Sequence, residues 1–305
     1  MPQSQKDVAP AATGPLVFMH YDQAALDAAY NQSHYAPHSE HVRRRIVTMS
    51  ADARARLGEP RRIAYGPSEI EKLDIYRTSR ANAPVLIFIH GGAWRRGTAK
   101  GNSFAAELFV NEGLQYVVPD FAFVQDAEDS LRTLASQVRK AIAWVYRNAS
   151  SFGGDRERIY LVGHSSGGHL AGVALTSDWG ADFGLPQDVV KAAALCSGMF
   201  DLYPVSLSAR REYVPFDDQL VHDLSPQRHL DKLRASLVVM YGTLETPEFV
   251  RQSCDFAQAV DKAGKRAKLI AAKDYNHFEL KEALASPYAP FGRAVLEMIR
   301  DHQAP

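Results

Sequence analysis

The chain has 305 residues, 46% of them hydrophobic and 23% charged, so it can bury a large core and lacks the composition of a disordered chain. Lys+Arg and Asp+Glu stand at 35 each, and the formal net charge of +0 removes the electrostatic case for nucleic acid or an acidic membrane surface as the main partner. Cys196 and Cys254 are the only cysteines, too few for a disulfide framework, so a reducing, cytoplasmic setting is expected.

Residues 1–20 begin with a Pro-, Ala-, Gln- and Ser-rich stretch and are expected to form a flexible N-terminal tail. The first seven residues lack the basic-then-apolar pattern of a signal peptide, and no apolar run approaches membrane-spanning length. Residues 21–305 are expected to form a single domain. From residue 21 to about 56 the pattern is helical, with Ala24, Leu26, Ala28 and Ala29 apolar. His34, His38 and His41 recur at i, i+4 and i+7, but Pro37 interrupts the face, and no carboxylate or thiol completes a ligand set. No metal or cofactor is expected.

Residues 61–65 and 73–76 read as an opening antiparallel pair, and residues 85–89 as a strongly apolar buried strand. A helix over 103–112 and a strand over 116–120 follow. Residues 131–148 form a long amphipathic pattern, with Leu134, Val138, Ile142 and Val145 at helical spacing. Strands are then expected at 159–162, 190–196, 237–241 and 267–271, a helix near 248–263 and a closing helix over 290–301. This alternation implies an α/β fold: a mostly parallel central sheet with helices on both faces. Residues 200–231 break the rhythm and are expected to lie over the site as a small cap.

Gly163-His164-Ser165-Ser166-Gly167 joins the strand ending at Val162 to a helix over 168–175. A strand that turns sharply into a helix at G-x-S-x-G is the nucleophile elbow of α/β-hydrolases, which lifts a serine hydroxyl above the sheet edge. Ser165 is the expected nucleophile, and the Ser166 amide points where an acyl oxygen would become an oxyanion. His90-Gly91-Gly92-Ala93-Trp94 follows the strand over 85–89, at the position that supplies the other half of an oxyanion hole. Gly91 and Gly92 are therefore expected to donate amides to that oxygen. The acid should follow a late strand, and two carboxylates compete there: Glu245 at the loop apex and Glu248 just past Pro247, where a helix start favours a carboxylate anyway. Glu245 is the expected acid. His277, after the last strand, is the expected general base.

At these residues the chain resembles the kynurenine formamidase (arylformamidase) branch of the hormone-sensitive-lipase-like esterase superfamily. The blocks are HGGAW at 90–94, GHSSGGHLAG at 163–172, SGMFDLYP at 197–204, SP at 225–226, TPEFVRQS at 246–253 and NHFEL at 276–280. The resemblance implies a serine hydrolase that cleaves an aryl amide of the N-formylkynurenine kind, or an aryl or short-chain ester, through an acyl-enzyme. A broad-specificity carboxylesterase is the alternative, and a catalytically inactive hydrolase-fold binding protein the remoter one. Two departures stand out. Glu245 occupies a position where the family pattern has Asp, and Ala93 stands where Tyr is common, followed by Arg95 and Arg96. Either arginine is a candidate to hold a substrate carboxylate, and surface arginines that open a helix are the alternative reading.

Loops at the carboxyl ends of strands bind ligands in α/β sheets, so Trp94, Phe123, His164, Phe200 and Tyr203 are expected to line the pocket. The expected partner is a small aromatic amide or ester, with neither nucleic acid nor a membrane. A homodimer is the candidate assembly, on which the sequence is otherwise silent.

Overall fold

The computed structural model describes residues 13–127 and 130–302. The first twelve residues of the expected tail lie outside that range. Leu16–Phe18 (β1) and Tyr21–Asp22 (β2) pair antiparallel and lead into Gln23–Ala29 (α1), which Asp22 caps by accepting from the Ala25 amide. The helical pattern read over 21–56 is therefore split. A 3₁₀ turn at Gln32–Tyr35 separates α1 from Ser39–Leu57 (α2), with Pro37 in the gap. Proline cannot donate an i→i−4 bond, so the break falls where the sequence placed it.

Arg61–Ala64 (β3), Lys72–Tyr76 (β4), Ala83–Ile89 (β5), Ala106–Asn111 (α3) and Gln115–Pro119 (β6) come next. Leu131–Asn148 (α4), Gly154–His164 (β7), Ser166–Leu175 (α5), Trp179–Phe183 (α6) and Ala192–Cys196 (β8) follow. After Tyr203–Leu207 (α7) and Asp218–Asp223 (α8), the chain completes the sheet with Ser236–Gly242 (β9), Pro247–Lys262 (α9) and Ala267–Ala272 (β10). His277–Glu282 (α10) and Pro290–Asp301 (α11) close it.

The eight-stranded sheet has the order β10-β9-β8-β7-β5-β6-β4-β3. Six strands run parallel, and β4 and β3 add to the β6 edge antiparallel. All seven residues of β5 are buried, as a strand covered on both faces requires. Its side chains alternate between two cores because successive residues point to opposite faces. Val85, Ile87 and Ile89 join α1, α4, α5 and α9, whereas Leu86 and Phe88 join α2, α3 and α11. The strands β5, β7, β8 and β9 thus present their carboxyl ends side by side at one edge, and the loops carrying the sequence motifs leave from there.

Candidate active site

Ser165 links β7 to α5 with φ 59° and ψ −129°, a conformation that non-glycine residues rarely adopt. Such strain survives only where the surroundings hold it. The Ser165 amide donates to the Cys196 carbonyl at 2.9 Å, and its own carbonyl accepts from His169 at 3.1 Å. Glycine at 167 is a steric demand: a Cβ there would stand 2.1 Å from the Ile89 carbonyl oxygen. The elbow is therefore pressed against the end of β5, where the other motif begins.

In that loop the Gly91 backbone lies so close to the elbow that a Cβ on it would reach within 2.9 Å of the Ser165 Cβ. Gly92, Ala93 and Trp94 all take positive φ, at 135°, 57° and 62°. The tight curl leaves the Gly91 and Gly92 amides without partners among the described residues. Ser166 is the first residue of α5, where an amide has no intrahelical acceptor.

The curl also turns Trp94 inward. Its amide donates to Ser166 Oγ at 3.3 Å and its indole Nε1 to His169 Nδ1 at 3.2 Å. His169 Nε2 faces the Leu224 carbonyl at 2.8 Å, so Nε2 carries the hydrogen and Nδ1 accepts. Burial pushes His169 down to about 4, which keeps it neutral. Trp94 is thus a buried brace between loop and helix, and the expectation that it lines the pocket is corrected.

Glu245 and His277 meet across two loops. Glu245 Oε2 accepts from His277 Nδ1 at 2.9 Å and from Gln32 Nε2 at 3.0 Å. Its Oε1 accepts from the Gly242 amide at 2.9 Å and from the Ser197 hydroxyl. Both oxygens of this buried carboxylate are therefore satisfied, as burial of a charge demands. Glu248 is bound elsewhere: Arg251 grips it through Nε at 2.8 Å and a terminal nitrogen at 2.7 Å, and Tyr30 donates to it at 3.0 Å.

His277 opens α10 behind a capping box, with Asn276 accepting from Phe278 and Glu279 while Glu279 accepts from the Asn276 amide. His164 packs beneath it, ring centroids 4.5 Å apart, and its Nε2 lies 2.9 Å from the His277 carbonyl. Burial first, then the charges of His277 and Lys281, drive His164 well below the usual imidazole range, so it is a neutral donor that fixes the start of α10.

A cavity of about 840 Å³ opens over Ser165 and His277, bounded by Gly91, Gly92 and Ala93. His164 is among the residues that line it. Phe123, Phe200 and Tyr203 do not, and these expectations are corrected too. Phe123 precedes a 3₁₀ turn beside the loop. Phe200 is fully buried and stacks on Phe256 at 4.1 Å, because its amide is drawn to Gln252 Oε1 at 2.6 Å. Tyr203 is 49% exposed and packs edge-on against Phe18, away from the site. Within residues 200–231 the cavity wall is instead Ser208, Ala209, Arg210, Glu212 and Tyr213.

Further lining comes from α1, the turn after it and α2, including Arg43 and Ile46. Nothing in the sequence pattern pointed to this N-terminal segment, or to Gln32, which lies 213 residues from the carboxylate it holds. Gln32 also accepts from the Thr246 amide at 3.2 Å, so both ends of its side-chain amide hold the Glu245–Thr246 turn. Gln32→Leu is expected to lower kcat about tenfold or more with little change in KM, since a hydrogen bond to a charged group is worth about 1.5–3 kcal/mol. Steady-state kinetics of the variant check this; an unchanged kcat would mean that the other three partners suffice.

Two family models match the chain, BD-FAE over residues 73–195 and the prolyl oligopeptidase family over residues 135–288. The kynurenine formamidase of Danio rerio is 30% identical over 244 residues, spanning 78% of this chain and 80% of that protein. The kynurenine formamidase of Salmo salar is 29% identical, spanning 78% of this chain and 81% of its own. Among solved structures, esterase B of Lactobacillus rhamnosis has a TM-score of 0.68 over 89% of this chain and 95% of its own. At 17% identity, that likeness is one of fold alone.

Proposed function

The chain belongs to the kynurenine formamidase family of α/β-hydrolases, and on that premise we propose that it cleaves an aryl amide or an aryl or short-chain ester through an acyl-enzyme on Ser165. The observation that carries this reading is the His277–Glu245 pair at 2.9 Å, opening onto the same cavity as a strained Ser165. His277 takes the Ser165 proton as the hydroxyl attacks the substrate carbonyl, and Glu245 holds the imidazole tautomer and stabilises the imidazolium. The amides of Gly91, Gly92 and Ser166 receive the oxyanion, a contribution of about 2.7–4 kcal/mol per donor in comparable sites. The proton then passes from His277 to the leaving amine or alcohol, and the C–N or C–O bond breaks. Water activated by the same histidine adds to the acyl-enzyme and releases the acid.

Neutral overall charge and the free thiols of Cys196 and Cys254 fit a cytoplasmic enzyme for small molecules. Covalent labelling by a fluorophosphonate, followed by mass mapping to Ser165, tests the assignment. An unlabelled Ser165 in folded protein would sink it.

Ala93 favours a second reading, a broader carboxylesterase. It lines the cavity with only a methyl group, leaving room on the acyl side. Ala93→Tyr is expected to lower kcat/KM for butyryl and larger acyl groups several-fold more than for formyl, whatever the strain of a bulky residue at φ 57° costs both. The ratio of the two rates is the readout, and an unchanged ratio would remove position 93 from the acyl pocket.

A further inference from the structure

The two halves of the oxyanion hole read from this chain lie on separate segments. Gly91 and Gly92 are in the loop after β5, and Ser166 begins α5. Donors from both segments must stand about 2.7–3.1 Å from one oxygen, so the spacing and orientation of loop and helix have to be fixed. Close packing limits their approach, since a Cβ on Gly167 would already meet the Ile89 carbonyl oxygen. The two hydrogen bonds that join them both come from Trp94, one from its amide to Ser166 Oγ and one from its indole to His169 Nδ1. Ala93 and Trp94 hold successive left-handed conformations, and such backbone persists only where its surroundings over-determine it.

His169 is the buried end of that link. It stands one turn after Ser165, whose carbonyl its own amide bonds, and its ring meets the Trp94 indole edge-on at 5.2 Å. A neutral imidazole donates at one edge and accepts at the other. Because the Leu224 carbonyl can only accept, Nε2 must carry the hydrogen and Nδ1 is left to face the indole N–H. That carbonyl is itself held in place. The Leu224 amide bonds the Leu220 carbonyl, Ser225 Oγ accepts from the Leu202 amide at 2.9 Å, and Pro226 presses on α5 so closely that a Cβ on Gly172 would reach within 2.9 Å of it. A second contact from the same region, the Arg210 guanidinium, lies 5.5 Å over the Trp94 ring.

We propose that His169 is a positioning residue for the oxyanion loop: by accepting from Trp94 it holds the Gly91 and Gly92 amides over Ser165, and by donating to Leu224 it ties that geometry to the segment 200–231. This rests on the reading of Ser165 as nucleophile and of those amides as oxyanion donors.

Variants of the full-length enzyme separate the two edges of the imidazole. A glutamine amide nitrogen reaches the place of Nε2, and an asparagine oxygen stands at that of Nδ1. His169→Gln therefore keeps the donor to Leu224 and leaves the indole without an acceptor, while Trp94→Phe removes the indole hydrogen from the other side. Each should lower kcat for phenyl acetate at least about tenfold with KM within about twofold, because the oxyanion forms only on the way through acylation and deacylation. The double variant should cost little more than either single one. His169→Asn restores the acceptor and should recover kcat to within about threefold of the wild type. Affinity for phenyl trifluoromethyl ketone, which Ser165 would convert to an oxyanionic hemiketal, should fall and recover in parallel. Rates are taken per folded molecule, with thermal midpoints measured alongside. Full kcat in folded His169→Gln or Trp94→Phe overturns the proposal. So does an equal loss in all three single variants, which would trace the effect to the ring of His169 rather than to its bond with Trp94. A wild type that neither turns over ester nor binds the ketone would sink the hydrolase reading instead. The ¹H–¹⁵N amide resonances of Gly91 and Gly92 then decide: the proposal stands if they move in His169→Gln and return in His169→Asn, and falls if they do not move.

Discussion

Ser165→Ala is expected to reduce kcat by on the order of 10⁴-fold or more on any substrate the enzyme turns over, and to abolish fluorophosphonate labelling. That loss corresponds to about 5.5 kcal/mol of barrier. The substitution removes the atom that would form the acyl bond and little else, because the Ser165 contacts that shape the elbow are made by its backbone amide and carbonyl. The fold should therefore survive, with a thermal midpoint near that of the wild type. Alanine at φ 59° faces the same backbone restriction as serine. What remains should be the modest rate that oxyanion donors and binding provide without a nucleophile. Hydrolysis of p-nitrophenyl acetate well above that residual level, by protein free of wild-type contamination, would mean that another residue attacks.

Glu245→Ala and Glu248→Ala should fail in opposite ways although they stand three residues apart. Losing Glu245 strips His277 Nδ1 of its acceptor and leaves the Gln32 and Ser197 donors and the Gly242 amide facing an empty site. The expected cost in kcat is about 10³–10⁴-fold, less than for the nucleophile, since the acid orients and stabilises rather than reacts. Losing Glu248 breaks its fork with Arg251 and the bond from Tyr30, in a place where the carboxylate is fully buried. Removing one partner of such a pair destabilises by about 3 kcal/mol, while kcat per folded molecule should stay near the wild-type value. Denaturant midpoints and active-site titration separate the two outcomes. Full activity in Glu245→Ala with an inactive, stable Glu248→Ala would exchange the roles.

Much of the molecule was legible from sequence where the physics is local. The helix Leu131–Asn148 follows from its apolar spacing alone, and the unbroken apolar run of Ala83–Ile89 marks a strand buried on both faces. The elbow was readable because its steric demands are met by residue type: only glycine fits at 167, under the end of the neighbouring strand. The chain order of Ser165, Glu245 and His277 follows the order of strands, since each sits on the loop that leaves a strand's carboxyl end.

The tertiary structure decided what depends on contacts between distant segments. Trp94, Phe123, Phe200 and Tyr203 read as pocket walls because aromatics on such loops can face either way. A positive-φ curl and the Nε1 bond to His169 turned Trp94 inward, and Gln252 drew in Phe200. Glu245 was separated from Glu248 by partners, one meeting His277 and Gln32, the other Arg251 and Tyr30. The hold of Gln32 on Glu245 and Thr246 and the meeting of Trp94, His169 and Leu224 leave no periodic trace. Spacing along a chain encodes which face an element buries, whereas the convergence of single side chains from separate elements is set by how those elements pack.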